Sequence, residues 1–478
     1  MHRSKIVFLV FILVFAIACA INPVTGQKEL MLISEAQEIQ MGQETHESIR
    51  QQFGIYEDPA LSQYVSELGH AMGPYTHRPH LEYHFYVLDT PVVNAFAAPG
   101  GFIYVTRGAL ALMTSEAELA SIIGHELGHV NARHSAHKLS QMLLVQVGLA
   151  VGSAISETFR DLSGLASVGV QLLFLKFSRD DERQADSLGV QYSRSGGWHP
   201  GKMVDFFSAL QKMGDLSGGG HSLPGFLSTH PLTSERIQYT KAMVEENDRY
   251  LLVKKDQYIT RLANLVYGDD PRQGFVENNT FYHPGMRFSF AIPQGWKFQN
   301  QRNQVVMVTQ DENAAVVLQV EENTADLQSY AQARSQKLQG ATFISGQNLR
   351  INGLSSYQQL FRITQTNQEQ EQSLKMRTSY IRKGSYIYTF SALSDESSYN
   401  NYDFQFGTVI GSFRELTDRN YLNRQPFRIK VVRADGRQTL ESYFKKAGIK
   451  QEAWPKFAIM NGMNLKDVPI KNTAIKVI

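Results

Sequence analysis

The chain has 478 residues, which is longer than one hydrophobic core usually supports, and two or three domains are therefore expected. Hydrophobic residues make up 42% of it and charged residues 19%, which is the balance of a folded globular protein. The formal net charge is only +2, so neither a nucleic-acid-binding surface nor a polybasic membrane patch is indicated.

The first 18 residues predict a signal peptide. Arg3 and Lys5 precede the apolar stretch 6–18, which is too short to cross a bilayer. Its end fits either an ordinary signal-peptidase site or a bacterial lipobox with Cys19 as the acylated residue. Cys19 is the only cysteine, which favours lipidation and excludes an intramolecular disulfide. Because Ala20 follows it, a resemblance to Gram-negative lipoproteins implies an exported, periplasmic protein anchored by lipid to the outer membrane.

The following region predicts helices with a small sheet between them. Ser34 is a candidate N-cap, and Ser115 with Glu118 has the spacing of a capping box. The predicted helices cover residues 33–55, 59–72 and 115–134, and the predicted strands cover residues 83–87 and 101–105.

Two stretches rich in apolar and small residues come next, at 142–155 and 162–177. Polar residues interrupt both stretches, and neither reaches the length of a membrane span. They are interpreted as packed helices, and the alternative is a surface that touches a membrane or covers the active cleft. A further helix is predicted to begin at Ser178, because acidic residues suit the positive end of its dipole.

The pattern changes after about residue 250. Residues 251–280 are interpreted as a linker with a helix. Residues 281–416 alternate as strands do, with a helix at 326–338, which indicates a separate antiparallel α+β domain. After a polar joint at 417–425, residues 426–478 predict a small unit with a strand at each end and two short helices between them.

A histidine-rich motif in the helix at 115–134 predicts a catalytic metal site. His125 and His129 are four residues apart, so they share one helix face and can bind one cation. Glu126 projects beside them, where it can hold the metal-activated water and take its proton. The spacing predicts a peptidase with one Zn²⁺ per chain.

The sequence has no third histidine at the metzincin spacing. The metzincin arrangement needs a glycine and a histidine at the positions where this chain has Ala132 and Ser135. His134 and His137 are therefore interpreted as exposed residues at the end of the helix.

A carboxylate is the other common third ligand. Glu182 and Asp186 share a face of the helix that begins at Ser178, so one can bind the metal while the other hydrogen-bonds a ligand histidine or donates a proton. On spacing alone, a solvated acidic helix start explains the same residues.

Four segments in the same order resemble the HtpX and CAAX-prenyl-protease family of zinc metallopeptidases, metallopeptidase family 48. The resemblance covers residues 23–245, and the soluble, periplasmic BepA-type members are the most similar. The segments are residues 94–101, 125–129 and 178–186, and Thr229-His230-Pro231 followed by Arg236.

The resemblance implies a mainly helical, gluzincin-type metalloprotease domain over residues 19–250. It implies that the zinc ligands are His125, His129 and Glu182. It also implies that Glu126 is the catalytic base and that Asp186 is a supporting proton donor. His230 would lie near the metal, either filling the open coordination position at rest or stabilising the oxyanion. Arg236 would anchor the substrate backbone or pair with an acid.

The stretch from Gly100 to Val105 resembles the edge strand of the family, along which an extended substrate adds as another strand. Asn94, Gly101 and Ile103 are therefore candidate substrate contacts. The alternative is an ordinary interior strand.

The two downstream regions carry further resemblances. The start of 281–416 is similar to accessory domains of the PsbP or Mog1 type, and 426–478 is similar to a LysM unit. Arg437-Gln438-Thr439-Leu440 departs from the LysM pattern, so peptidoglycan contact would be weak, and a small packing module is the alternative.

Together these features predict an envelope endopeptidase that hydrolyses misfolded or misassembled envelope proteins. The competing hypothesis is an assembly factor or chaperone in which peptidase activity is secondary.

Overall fold

The computed structural model describes residues 19–149, 176–216, 225–231, 233–367 and 370–478. The chain divides into two compact units. Unit 1 comprises the chain up to Gly268 together with Phe427–Ile478, and unit 2 comprises Asp269–Pro426. The predicted signal peptide, the apolar stretch at 162–175 and residues 150–155 lie outside the described residues. Within the described ranges, we find no helix that is both long and apolar enough to cross a membrane.

The described helices follow the predicted order. They are α1 Glu35–Phe53, α2 Pro59–Met72, α3 Arg107–Leu112, α4 Glu116–Asn131, α5 His134–Leu149, α6 Arg179–Ser195, α7 Lys202–Leu216, α8 Gly225–Thr229, α9 Ser234–Ala242, α10 Lys255–Arg261, α11 Leu327–Ser335, α12 Tyr399–Ser412, α13 Arg419–Leu422, α14 Leu440–Lys446 and α15 Trp454–Met460. Several begin at the predicted caps: the Ser34 side chain accepts a hydrogen bond from Gln37 N, and that of Ser115 accepts one from Glu118 N.

The strands alternate with these helices. They are β1 Cys19–Ile21, β2 Lys28–Leu30, β3 His84–Leu88, β4 Ala95–Ala98, β5 Phe102–Thr106, β6 Phe275–Glu277, β7 Thr280–His283, β8 Phe288–Ala291, β9 Lys297–Asn300, β10 Gln304–Val308, β11 Ala314–Glu322, β12 Ala341–Ile351, β13 Leu354–Asn367, β14 Gln370–Lys383, β15 Tyr386–Asp395, β16 Arg414–Glu415, β17 Lys430–Arg433 and β18 Ala474–Val477. The mixed α and β content predicted from the sequence is confirmed.

The small sheet of unit 1 has the order β3-β5-β4. β5 runs parallel to β3 and antiparallel to β4, and Ile103 pairs with Phe85 on one side and Ala97 on the other. The prediction that β5 is an edge strand is therefore wrong. Every residue of β5 is buried, as expected for a central strand with an uninterrupted apolar run.

The segment 427–478 belongs to unit 1. Its strands β17 and β18 pair with each other, and its apolar side chains join the core that also contains α4, as Phe444 and Ile475 show. The buried Lys476 ammonium donates 2.7 Å hydrogen bonds to the carbonyl oxygens of Ala111 and Met113, near the end of α3. These contacts tie the segment to the helices that precede the metal motif.

Unit 2 is built on antiparallel sheets, as predicted for this region. A seven-stranded sheet has the order β12-β13-β14-β15-β11-β10-β9, and a four-stranded sheet has the order β16-β8-β7-β6. Aromatic side chains dominate the core, where Phe281, Phe290 and Phe390 pack with Phe406 of α12. This core explains why unit 2 forms a compact body of its own.

Candidate metal centre

Helix α4 presents the histidine motif from the centre of unit 1. All of its residues are buried, and apolar side chains such as Leu119, Ile122 and Ile123 anchor it on the core. A helix held this tightly gives the side chains of His125 and His129 fixed directions, which a metal site requires.

Helix α6 approaches α4 closely because glycines line the contact. An ideal Cβ on Gly189 would lie only 2.9 Å from His125 N, and one on Gly128 would lie 3.0 Å from Ala185 Cα. Larger residues would therefore push the helices apart. The close approach brings Glu182 of α6 to the motif on α4.

Four side chains meet at one point. The ligating atoms of His125, His129, Glu182 and His230 all lie within 4.8 Å of one another, and all four residues are buried. His129 Nε2 is 3.1 Å from His125 Nε2 and 3.7 Å from Glu182 Oε1. Burial, followed by the neighbouring histidines and Arg236, lowers the pKa of His129 well below its usual value. Its neutral imidazole therefore has a lone pair for a cation, and two imidazoles with one carboxylate form a common catalytic zinc set.

Glu126 is buried next to His125 on α4, and its Oε1 lies 3.7 Å from His230 Nε2. Its side chain is 1% exposed, and neither carboxylate oxygen has a hydrogen-bond partner among the described residues. Burial raises the pKa of Glu126 above its ordinary value. A buried acceptor without a partner costs free energy unless a ligand or water satisfies it, so this carboxylate is placed to hold and deprotonate a water molecule.

Asp186 and Arg236 contact side chains of the cluster and each other. Asp186 Oδ1 is 2.9 Å from His125 Nδ1, and the Arg236 guanidinium donates two hydrogen bonds, of 2.8 and 2.7 Å, to the Asp186 carboxylate. Arg236 also lies 2.7 Å from Glu182 Oε2. Burial opposes ionisation of Asp186, but the hydrogen bonds from Arg236 and the close contact with His125 outweigh it and lower the pKa of Asp186. An ionised carboxylate cannot donate a proton, so orienting His125 suits Asp186 better than the predicted role of proton donor.

Arg236 therefore matches the second of its two predicted roles, that of pairing with acids. It is 4% exposed, and it also contacts Pro231 O and the ring of Phe207. A guanidinium buried in this way has no free face for a substrate backbone.

His230 reaches the cluster from the end of α8. Its ring stacks on Phe226, with centroids 4.7 Å apart, and its Nδ1 lies 2.8 Å from Glu182 Oε1. Burial opposes protonation of His230, but the carboxylates of Glu182 and Glu126 outweigh burial and raise its pKa. Phe226 N also donates to Val93 O, so the chain segment that carries His230 borders the start of β4.

His134 contacts His129, which the sequence did not predict. It is 4% exposed, and its Nδ1 lies 2.9 Å from Nδ1 of the ligand His129. The prediction that it is exposed is wrong, because the chain turns between α4 and α5 and returns His134 beneath His129. His137 lies one turn further along α5 and is half-buried. Among the described residues, its side chain contacts Gln141 and does not contact the cluster.

The predicted substrate contacts differ in position. Asn94, Gly101 and Ile103 are all buried in unit 1. Asn94 immediately precedes β4, and its Oδ1 has no hydrogen-bond partner among the described residues. β4 pairs with β5 on one side and with no described strand on the other, and it packs against α4. The backbone edge nearest the metal motif therefore belongs to β4. Cys19 is the first residue of β1 and is not one of the four residues of the cluster.

Comparison with known proteins supports the same chemistry. Residues 59–244 match the sequence model of Peptidase family M48. The chain is 27% identical over 259 residues to the Beta-barrel assembly-enhancing protease of Yersinia pestis, which covers 52% of each chain. It is 35% identical over 150 residues to the Mitochondrial metalloendopeptidase OMA1 of Arabidopsis thaliana, which covers 31% of this chain and 29% of the relative. The predicted resemblance to the family is confirmed.

The chain spans about half the length of the assembly-enhancing relatives that it matches, 52% in the Yersinia protein. Among solved structures, a cyanobacterial PsbP from Synechocystis is 15% identical, covers 28% of this chain and 91% of its own, and gives a TM-score of 0.24. A score this low assigns no fold to any part of the chain. The PsbP-like and LysM-like resemblances stay predictions.

Proposed function

We propose that the chain is a zinc-dependent endopeptidase, because residues 59–244 match the sequence model of Peptidase family M48. The observation that carries this proposal is the convergence of His125, His129 and Glu182 beside a buried Glu126 carboxylate that has no hydrogen-bond partner among the described residues. A buried cluster of this composition is costly in free energy unless a cation compensates the carboxylates and takes the imidazole lone pairs.

The mechanism assigns a task to each side chain. Bound Zn²⁺ would polarise the peptide carbonyl and lower the pKa of water to about 7. His125, His129 and Glu182 would hold the ion, and Asp186 with Arg236 would keep the ligand side chains in place. Glu126 takes the proton of the attacking water and passes it to the leaving amine.

We further propose that the substrate is an extended polypeptide that pairs with β4. This strand has a free backbone edge among the described residues, and its start borders the segment that carries His230. Backbone pairing reads few side chains, so broad specificity follows. Unfolded or misassembled proteins expose such extended segments, and folded proteins do not.

We assign these substrates to the bacterial cell envelope. The Yersinia relative is named for a protease that enhances β-barrel assembly, and the N-terminal sequence fits export to the periplasm with lipid attachment at Cys19. The second candidate function, an assembly factor whose peptidase activity is secondary, is favoured by the same name and by the additional unit 2.

The decisive experiment compares the wild type with Glu126→Gln. Both proteins should hold about one zinc by elemental analysis, and only the wild type should cleave casein, because Glu126 contacts water and not the metal. Glu182→Ala should lose most of its zinc. Casein cleavage by Glu126→Gln at the wild-type rate would overturn the proposed mechanism.

Complementation of a deletion strain separates the two candidate functions. If cleavage is the main function, Glu126→Gln should fail to restore envelope integrity. Full rescue by Glu126→Gln would favour the assembly factor. Mass spectrometry of the mature N-terminus would show whether Cys19 carries lipid, and an unmodified cysteine would exclude the anchor.

A further inference from the structure

His134 occupies a position that an uninterrupted helix could not supply. Five residues along a helix rotate a side chain by about 140°, which would turn residue 134 away from His129. The chain instead passes through Arg133, whose φ of 58° breaks the helix between α4 and α5. The Arg133 guanidinium fixes this turn through 2.8 Å hydrogen bonds from Nε to Glu38 Oε2 and from Nη2 to Ile33 O. The left-handed residue is thus held in place, and His134 returns to His129.

The partners of His134 determine where its proton lies. His134 Nε2 is 2.9 Å from Gln184 Oε1 and 3.5 Å from Asp181 Oδ1, and both of these oxygen atoms are acceptors. A neutral His134 therefore carries its proton on Nε2 and presents a lone pair at Nδ1. The atom that faces this lone pair, 2.9 Å away, is Nδ1 of His129.

The proton position on His129 follows from this contact. His129 Nδ1 must donate to the His134 lone pair, so His129 Nε2 has no proton. Nε2 is the atom that lies 3.1 Å from His125 Nε2 within the ligand cluster. The ring of Phe177 stacks on His129 with centroids 4.2 Å apart, which restrains the plane in which the imidazole lies. Phe177 thus restrains the tilt of the His129 ring, and His134 determines which ring nitrogen carries the proton and how the ring is rotated.

We propose that His134 is a positioning residue for the metal: through Gln184 on one side and His129 on the other, it holds His129 in the tautomer whose Nε2 can bind a cation. This role rests on the proposed zinc site, and it adds a neutral imidazole as the partner of one ligand. The other ligand histidine, His125, has the Asp186 carboxylate instead. A neutral partner adds no negative charge beside the ion, so the two ligand histidines differ in basicity.

The test uses the full chain and measures zinc affinity by competition with a chromophoric chelator at one pH. His134→Phe preserves the shape of the ring and removes both nitrogen atoms, whereas His134→Asn keeps an acceptor close to the position of Nδ1. We expect His134→Phe to weaken zinc binding by about 10- to 100-fold and His134→Asn to recover most of the loss. His137→Ala, on the same helix but away from His129, is the matched control and should bind zinc as the wild type does.

Two further measurements separate positioning from folding. The metal-free variants should unfold at nearly the wild-type temperature, and the visible spectrum of the Co²⁺-substituted protein should change in His134→Phe but not in His137→Ala. Gln184→Leu, at a half-buried position, removes the nearer acceptor of His134 Nε2 and leaves Asp181 Oδ1 at 3.5 Å, so it should give a smaller loss of affinity. It provides the same test if His134→Phe does not fold.

The outcomes are distinct. Unchanged zinc affinity in His134→Phe, or an equal loss in His134→Phe and His134→Asn, would overturn the positioning role while the wild type still holds zinc. If His134→Phe does not fold, unchanged affinity in Gln184→Leu would overturn it. A wild-type chain that binds no zinc would overturn the proposed function and the positioning role with it.

Discussion

Replacing Gly189 by alanine should weaken metal binding although the new methyl group touches no ligand atom of the cluster. Gly189 lies on α6 where this helix meets α4, and an added Cβ would lie 2.9 Å from His125 N and 3.1 Å from His125 Cα. Met203 Cε, at 2.6 Å, ends a flexible side chain and can move, but the backbone of His125 cannot move without α4.

The size of the effect follows from these distances. Non-bonded heavy atoms prefer separations of about 3.5 Å or more, so the helices must separate locally by about 0.5 Å. Metal–ligand distances tolerate only about 0.2 Å, so Glu182 on α6 would no longer match His125 on α4. Overpacking costs about 1 to 3 kcal/mol, and the better helix propensity of alanine returns about 1 kcal/mol. We therefore expect a folded protein that binds zinc about 10- to 100-fold more weakly.

The assay combines chelator competition for zinc with thermal unfolding of the metal-free protein. Gly407→Ala on α12 is the matched control, because the nearest atom to its added Cβ would be Arg377 Nη1 at 3.7 Å. This control should gain about 0.5 to 1 kcal/mol in stability and keep its zinc affinity. Wild-type zinc affinity in Gly189→Ala would refute the reasoning that close helix packing sets the site geometry.

Three further predictions concern other parts of the chain. His230→Ala should cleave casein faster than the wild type at equal zinc occupancy. The His230 ring contacts the proposed ligand Glu182, so at rest it would fill the open coordination position of the metal, and its removal would free that position for water. A fall in the cleavage rate of about a hundred- to a thousandfold would assign oxyanion stabilisation to His230 instead. Burial lowers the pKa of His283 to about 4, and its Nδ1 accepts a 3.1 Å hydrogen bond from Met286 N. Because the unfolded chain protonates first, unit 2 should lose up to about 3 kcal/mol as the pH falls from 6.5 to 4, and His283→Gln should abolish this dependence in urea unfolding. A chain that ends at residue 426 should lose zinc binding, since 427–478 completes the core of unit 1, and retained binding would contradict this.

Local sequence signals predicted much of the structure, and non-local contacts explain the remainder. Caps and periodicity place α4 and α6 because hydrogen bonds within a few residues determine where a helix begins. The partners of β5 could not be read in this way, because strand pairing joins segments that are distant in sequence. The edge assignment came from the family resemblance, although an uninterrupted apolar run is typical of a central strand. His134 was missed because its position depends on one left-handed residue, Arg133, which carries a bulky side chain rather than glycine.

The attachment of 427–478 to unit 1 also has a consequence for the order in which the protein can fold. Lys476 and Ala111, which share a hydrogen bond, are 365 residues apart, whereas unit 2 is one continuous stretch that is synthesised between them. A chain emerging from the ribosome or a translocon can therefore complete unit 2 before unit 1 has all of its core. Closing so long a loop is slow, and the helices that carry the histidines must wait for it. Peptidase activity should accordingly begin only after synthesis has passed β18, so a chain interrupted earlier should remain inactive.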